Sequence, residues 1–126
     1  MYCVPVDRPV PPVHLYTVYL LTDLYRQFTC VPVYLLTDLY RQFTSLKKRN
    51  PELKALLAVG GWTLGSGPFS RMAGSKEGRR NFVEHALQYL RTHHFDGLDL
   101  DWEYPANRGS PPEDKDNFSL LLKVGF

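Results

Sequence analysis

Two strand-like runs, Leu53–Val59 and Asp96–Glu103, flank a stretch with helical spacing, and this arrangement leaves few ways to fold. The first run is apolar, ends at Gly60-Gly61 and has the length of a strand buried on both faces. Between the runs, Ser75 opens a segment in which Phe82, Val83, Ala86, Leu87 and Leu90 share one helical face, closing near His93-His94. Two strands joined by such a helix pair in parallel, because a parallel pair needs a long crossover connection. The fold class is therefore α/β.

Other elements follow from the same reading. Thr37 caps a helix with apolar Leu39, Tyr40, Phe43 and Leu46, stopped by Asn50-Pro51, and a third strand is expected around Val31 to Leu36. The glycine- and proline-rich stretch from Thr63 to Gly74 reads as a loop. Ser110-Pro111-Pro112-Glu113 has the pattern of a capping box, opening a helix whose buried side carries Phe118, Leu121 and Leu122. Upstream, the segment Val18 to Thr29 recurs unchanged as Val33 to Thr44, and Cys3-Val4-Pro5-Val6 recurs as Cys30-Val31-Pro32-Val33. Two copies at so short a shift do not make a solenoid, which needs a longer unit and more repeats. A local duplication, or an error in assembling the coding sequence, accounts for the pattern. Residues 1–36 are thus expected to form an irregular segment and residues 37–126 the folded unit.

Composition narrows the function classes. With 126 residues, 44% hydrophobic and 22% charged, the chain holds one domain and is neither disordered nor membrane-spanning in type. Its net charge of +2 is spread in small groups such as Lys47-Lys48-Arg49 and Arg79-Arg80, which read as solvated helix faces, so no nucleic-acid partner is expected. Leu15 to Leu21 is too short to span a bilayer, so no membrane partner is expected either, and no cleavage site of a signal peptide follows it. Cys3 and Cys30 lack metal-ligand spacing, and a disulfide or two free thiols are both open. His93-His94 has an electrostatic use at a helix C-terminus in preference to a metal-binding one.

The chemistry lies in the second run. Strand side chains alternate, so Asp99, Asp101 and Glu103 face one way while Leu98, Leu100 and Trp102 face the other. Neighbouring carboxylates in such a row stand about 7 Å apart. At an effective dielectric near 20 they repel by roughly 2.4 kcal/mol, so the row is expected to hold at least one proton, as general acid catalysis requires. Glu103 has the longest reach and lies at the C-terminal end, where parallel α/β folds place their chemistry. A solvated acidic edge, or a magnesium or calcium site, is the competing reading of spacing alone; without a second ligand cluster the expected metal is none.

These residues resemble a known family. Asp96, Asp99, Asp101 and Glu103 fit the DxxDxDxE pattern of family 18 glycoside hydrolases, the chitinases and their relatives, and Leu57-Ala58-Val59-Gly60-Gly61-Trp62 is similar to the preceding strand motif. The similarity covers about Asp38 to Lys123, including Tyr104-Pro105 and Arg108-Gly109-Ser110-Pro111-Pro112, and Ala58 stands where the family often has serine. The resemblance implies a partial (β/α)8 TIM barrel, with about two to three of eight βα units. It implies retaining hydrolysis of β-1,4-linked N-acetylglucosamine polymers assisted by the substrate's own acetamido group. Glu103 would be the acid, Asp101 would orient the acetamido group, and Asp99 would share a proton with Asp101. Asp96 would support the strand, Gly60 and Gly61 would let backbone approach the site closely, and Trp62 and Tyr104 would meet the sugar, with core packing as the plainer use of Trp62. The implied partner is chitin or a chitooligosaccharide, with no cofactor, and the implied location is extracellular. A partial barrel leaves sheet edges open, so the chain alone is expected to be inactive, with a chitin-binding lectin or a degenerate fragment as alternatives.

Overall fold

The computed structural model describes residues 2–5, 15–18 and 33–125. Four strands form one sheet in the order β1-β4-β3-β2, where β1 is Tyr2–Pro5, β2 Leu15–Val18, β3 Lys54–Gly60 and β4 Gly97–Asp101. As the crossover argument requires, β3 and β4 are parallel, with Leu57 opposite Leu98, Ala58 opposite Asp99 and Gly60 opposite Asp101. β2 adds to the other side of β3, also in parallel. Both β1 and β2 lie in the segment expected to be irregular, and β1 runs antiparallel to β4 with Cys3 opposite Asp99. It occupies an edge of β4 that would otherwise present unpaired backbone groups.

Helix α1, Val33–Ser45, takes up the second copy of the duplicated segment; the rest of the first copy beyond Val18 lies outside the described residues. The strand expected at Val31 to Leu36 is therefore helical from Val33 onward, and Thr37 lies within the helix instead of capping it. The reason is periodic: Leu36, Tyr40 and Phe43 all turn toward the core, so the helical stripe extends one turn further back than the threonine signal marks. Tyr40 is buried and meets Tyr89, His93 and Phe95 edge-on, with centroids 6.1, 5.3 and 5.3 Å away.

The stretch Thr63 to Gly74 is also more ordered than its composition implies. A short helix α2, Gly67–Ala73, forms there with Pro68 in its first turn, where the missing N–H costs nothing. Phe69 and Ala73, four residues apart, are its buried positions. Helix α3, Lys76–Thr92, begins as the sequence predicts, with the Ser75 hydroxyl accepting from the Gly78 N–H at 2.9 Å. Helix α4, Asp114–Gly125, begins later than the capping-box pattern implies. The Ser110 hydroxyl donates to the Asp114 carboxylate and accepts from the Ala106 N–H, so its acceptor role serves the preceding loop and not the first turn of a helix starting beside it.

The core lies between the sheet and the helices. Leu98 and Leu100 of β4 and the following Trp102 are buried in it with Phe69, Val83, Leu90, Phe118 and Leu121. Trp102 stacks on Phe69 at 5.3 Å and meets Phe118 edge-on at 5.7 Å, which ties the end of β4 to α2 and α4.

At the top of the sheet β3 and β4 approach more closely than a side chain permits. A Cβ on Gly60, whose φ is +125°, would lie 2.2 Å from the Asp101 carbonyl oxygen. Gly60→Ala is expected to destabilise the chain by about 3 kcal/mol in urea unfolding. Gly65→Ala, at a φ of +70° with open space around it, isolates the cost of the backbone conformation and is expected to lose only about 1 kcal/mol.

Candidate active site

The alternation read from the sequence is realised as a gradient. Leu98, Leu100 and Trp102 lie under the helices, while Asp99 is 0% exposed and Asp101 and Glu103 are half-buried. β4 ends at Asp101, so Glu103 stands just past the strand and its peptide bond to Tyr104 is cis. The row thus runs from the sheet interior toward solvent, with its longest acid outermost.

Burial acts first on Asp99. Loss of solvent raises its carboxyl pKa above the ordinary range, and the neighbouring Asp101 charge raises it further. Among the described residues neither Asp99 oxygen has a hydrogen-bond partner, so Asp101 reaches it through charge and not through a shared hydrogen bond. A buried carboxylate in that situation is costly, whereas a neutral acid is tolerated.

Asp101 is held from the β3 side. Its carbonyl accepts the Gly61 N–H at 2.8 Å, and a Cβ on Gly61 would lie 3.9 Å from Asp101 Oδ2, so the carboxylate sits above bare backbone. Asp96 lies at the opposite end of β4. Its Oδ2 accepts from the Ala55 N–H at 2.8 Å and from Lys47 Nζ at 2.9 Å, while its own N–H donates to the Ala55 carbonyl at 2.7 Å. It joins the start of β4 to β3 and to the segment after α1, away from the carboxylate row.

Trp62 and Tyr104 are both open, at 60% and 52% exposure, so Trp62 does not pack in the core. One face of the Trp62 indole carries the Arg108 guanidinium, 3.5 Å from the ring centroid. The same Arg108 donates through Nη1 to the Trp62 carbonyl at 2.9 Å and to the Glu103 carbonyl at 3.2 Å. It bridges the loops that follow β3 and β4.

Arg108, Ser66, Ser110 and Asp114 have places here that the sequence reading did not assign. The buried Ser66 hydroxyl donates to the Tyr104 carbonyl at 3.1 Å. Asp114 was legible in one respect: it stands four and seven residues before Phe118 and Leu121, on the buried stripe of α4. A carboxylate in such a stripe signals a specific partner.

Parallel strands, a crossover connection and a row of acids leaving the C-terminal end of a central strand define an α/β protein with its candidate site at that strand end. The family model for glycosyl hydrolases family 18 matches residues 14–124, and the chain belongs to that family. Chitotriosidase-1 of Mus musculus is 56% identical over 79 residues, covering 63% of this chain and 17% of the relative. An endochitinase of Manduca sexta is 45% identical over 81 residues, covering 63% of this chain and 15% of the relative. Among solved structures, a Group IV chitinase of Ostrinia furnacalis in complex with allosamidin superposes with a TM-score of 0.68 at 46% identity, covering 72% of this chain and 25% of that one. The fold is accordingly a partial (β/α)8 barrel. The chain spans only 15% to 17% of the length of these two curated relatives.

The raised pKa of Asp99 makes stability depend on pH in a defined direction. The folded protein holds this proton more tightly than the unfolded chain, so stability is lost as pH rises from the unfolded carboxyl range through the higher folded value. Asp99→Asn removes that loss. Its thermal midpoint relative to the parent is expected to improve as pH rises above the ordinary carboxyl range, and a difference independent of pH would count against a buried acid that holds its proton.

Proposed function

We propose that this chain supplies the catalytic strand of a chitinase-type glycosidase, which hydrolyses β-1,4-linked N-acetylglucosamine polymers with retention of anomeric configuration. The observation that carries the reading is the graded row: a fully buried Asp99, a half-buried Asp101 above the Gly60-Gly61 turn, and Glu103 outermost at the C-terminal end of β4. Membership of family 18, whose members among the curated relatives include named chitinases, supports the substrate class.

In this reading Glu103 donates its proton to the glycosidic oxygen as the bond to the anomeric carbon breaks. The carbonyl oxygen of the substrate's own acetamido group attacks that carbon from the opposite side, forming a cyclic oxazolinium ion. Asp101 orients the acetamido group and balances the positive charge that develops on it. Water, deprotonated by Glu103, then opens the ring, so the configuration is retained and the acid is restored. The family is an exception to the usual pair of carboxylates in glycosidases, because the nucleophile comes from the sugar.

Asp99 serves from below. Fully buried, it holds its proton more tightly than an ordinary carboxyl, which limits the negative charge gathered along the row. Trp62 and Tyr104, exposed beside the strand ends, offer ring surface to sugar, and Arg108 already occupies one face of Trp62. Asp96, Gly60 and Gly61 hold the two strand ends in register. No metal or cofactor takes part in these steps, and chitin or a chitooligosaccharide is the partner. Extracellular action is the location that a polymeric substrate of this kind implies. The strand is one part of a cleft, and activity belongs to the barrel assembled around it.

In protein carrying this segment, Glu103→Gln is expected to lower kcat on a chitooligosaccharide by at least about a thousandfold, while binding is kept. Equal turnover by the variant would overturn the reading.

A further inference from the structure

The loop that follows Glu103 is fixed from a direction the proposed chemistry does not use. Between Tyr104 and Ser110 the chain turns tightly, with Ala106 and Arg108 at φ values of 62° and 53°. Residues with a side chain enter this region only where surrounding contacts impose it. Those contacts are few and identifiable. The Ala106 N–H donates to the Ser110 hydroxyl at 2.9 Å, and that hydroxyl donates to Asp114 Oδ2 at 2.5 Å. A hydroxyl has one proton, so the bond to Asp114 leaves Ser110 as an acceptor toward Ala106. At the near end, the Tyr104 carbonyl accepts from Ser66 and from the Asn107 N–H.

Asp114 is itself immobilised. It is 1% exposed, and donors converge on it from three places: Ser110 in the loop, Ser70 on α2 and Asn117 on α4. Burial raises its pKa, but these hydrogen bonds together outweigh it and hold the carboxyl below its ordinary value, so it stays an acceptor for all three. An amide in its place would direct an N–H at a group that is already a donor.

We propose that Asp114 is a positioning residue for the carboxylate row: through the Ser110 hydroxyl it sets the Tyr104–Ser110 loop, and through Arg108 in that loop it sets the Glu103 carbonyl and the Trp62 indole. The assignment of Glu103 as the acid rests on the chitinase reading. The mechanical coupling from Asp114 to Trp62 does not, and the two are tested separately.

Trp62 is exposed and Trp102 buried, and these are the two tryptophans of the chain, so acrylamide quenching of the exposed fraction reports on Trp62. Asp114→Asn and Ser110→Ala are expected to raise that quenching, because Arg108 no longer lies over the ring. Arg108→Ala should reproduce the rise directly, and Asp114→Asn added to it should change nothing further. Ser110→Thr, which keeps the hydroxyl, should restore the parent value. In protein that hydrolyses a chitooligosaccharide, Asp114→Asn should lower kcat by about tenfold to a hundredfold with KM nearly constant, the cost of a misplaced acid.

Unchanged Trp62 quenching in Asp114→Asn and Ser110→Ala, with only a lowered thermal midpoint, would reduce Asp114 to a packing role and overturn the proposal. If Asp114→Asn unfolds the chain, Trp102 becomes quenchable as well, and the Ser110 pair decides the question. Absence of hydrolysis in a complete barrel that carries this segment would count against the chitinase reading and leave the quenching result to stand on its own.

Discussion

The pairing of β3 with β4 in parallel, and its unusually close approach at Gly60 and Gly61, determines where every functional group of this chain can be. The register puts Gly60 opposite Asp101, and the Gly61 N–H then bonds to the Asp101 carbonyl at 2.8 Å. Fixing that carbonyl fixes the pleat at the last residue of β4. The pleat in turn decides that Asp99 and Asp101 share a face while Leu98 and Leu100 share the other. A residue with a Cβ at position 60 would separate the strand ends or rotate Asp101, and in either case the acids would leave their row. Glycine is needed there for both its positive φ and its bare approach.

The two faces of β4 differ in their energetics. Leu98, Leu100 and Trp102 bury an apolar surface against Phe69 and Phe118, and apolar burial is the main favourable term available to a domain of this size. On the reverse face Asp99 is fully buried as well, so β4 is enclosed on both sides. That burial, with the neighbouring Asp101 charge, raises the Asp99 carboxyl pKa. The helices contribute a second constraint. α2 supplies Phe69 to the core beside Ser70, and α4 supplies Phe118 beside Asp114, so the elements that bury Trp102 also anchor the loop carrying Arg108.

Much of this was legible in the sequence, for physical reasons that also explain what was not. Strand alternation and the need of a parallel pair for a crossover are strong constraints, and they correctly located β3, α3 and β4 together with the acidic face. Ser75 was recognisable because a side-chain cap is a local interaction. Helix α1 was misjudged at its start because Thr37 offered a plausible local cap, while contacts of Tyr40 with Tyr89, His93 and Phe95, remote in sequence, select the helical stripe. In the Thr63 to Gly74 stretch, glycine and proline content concealed two buried positions that are enough for one helical pass. Ser110 was assigned to the wrong partner for a related reason. Its capping pattern is local, but the Ala106 N–H takes the hydroxyl's acceptor role while the hydroxyl's proton goes to the buried Asp114 carboxylate. Asp99, Asp101 and Glu103 were accessible from spacing, whereas the roles of Ser66 and Arg108 required knowledge of which loops meet.

The account turns on the buried Asp99 holding its proton more tightly than an ordinary carboxyl. Carbon-13 resonances of the side-chain carboxyls, followed individually through a pH titration, observe that state without relying on a variant or a substrate. The account predicts that the Asp99 resonance keeps its protonated position above the pH at which the aspartates of the unfolded chain shift. An Asp99 resonance that moves over the same pH range as in the unfolded chain would show that burial does not hold the proton, and would contradict the arrangement on which the carboxylate row depends.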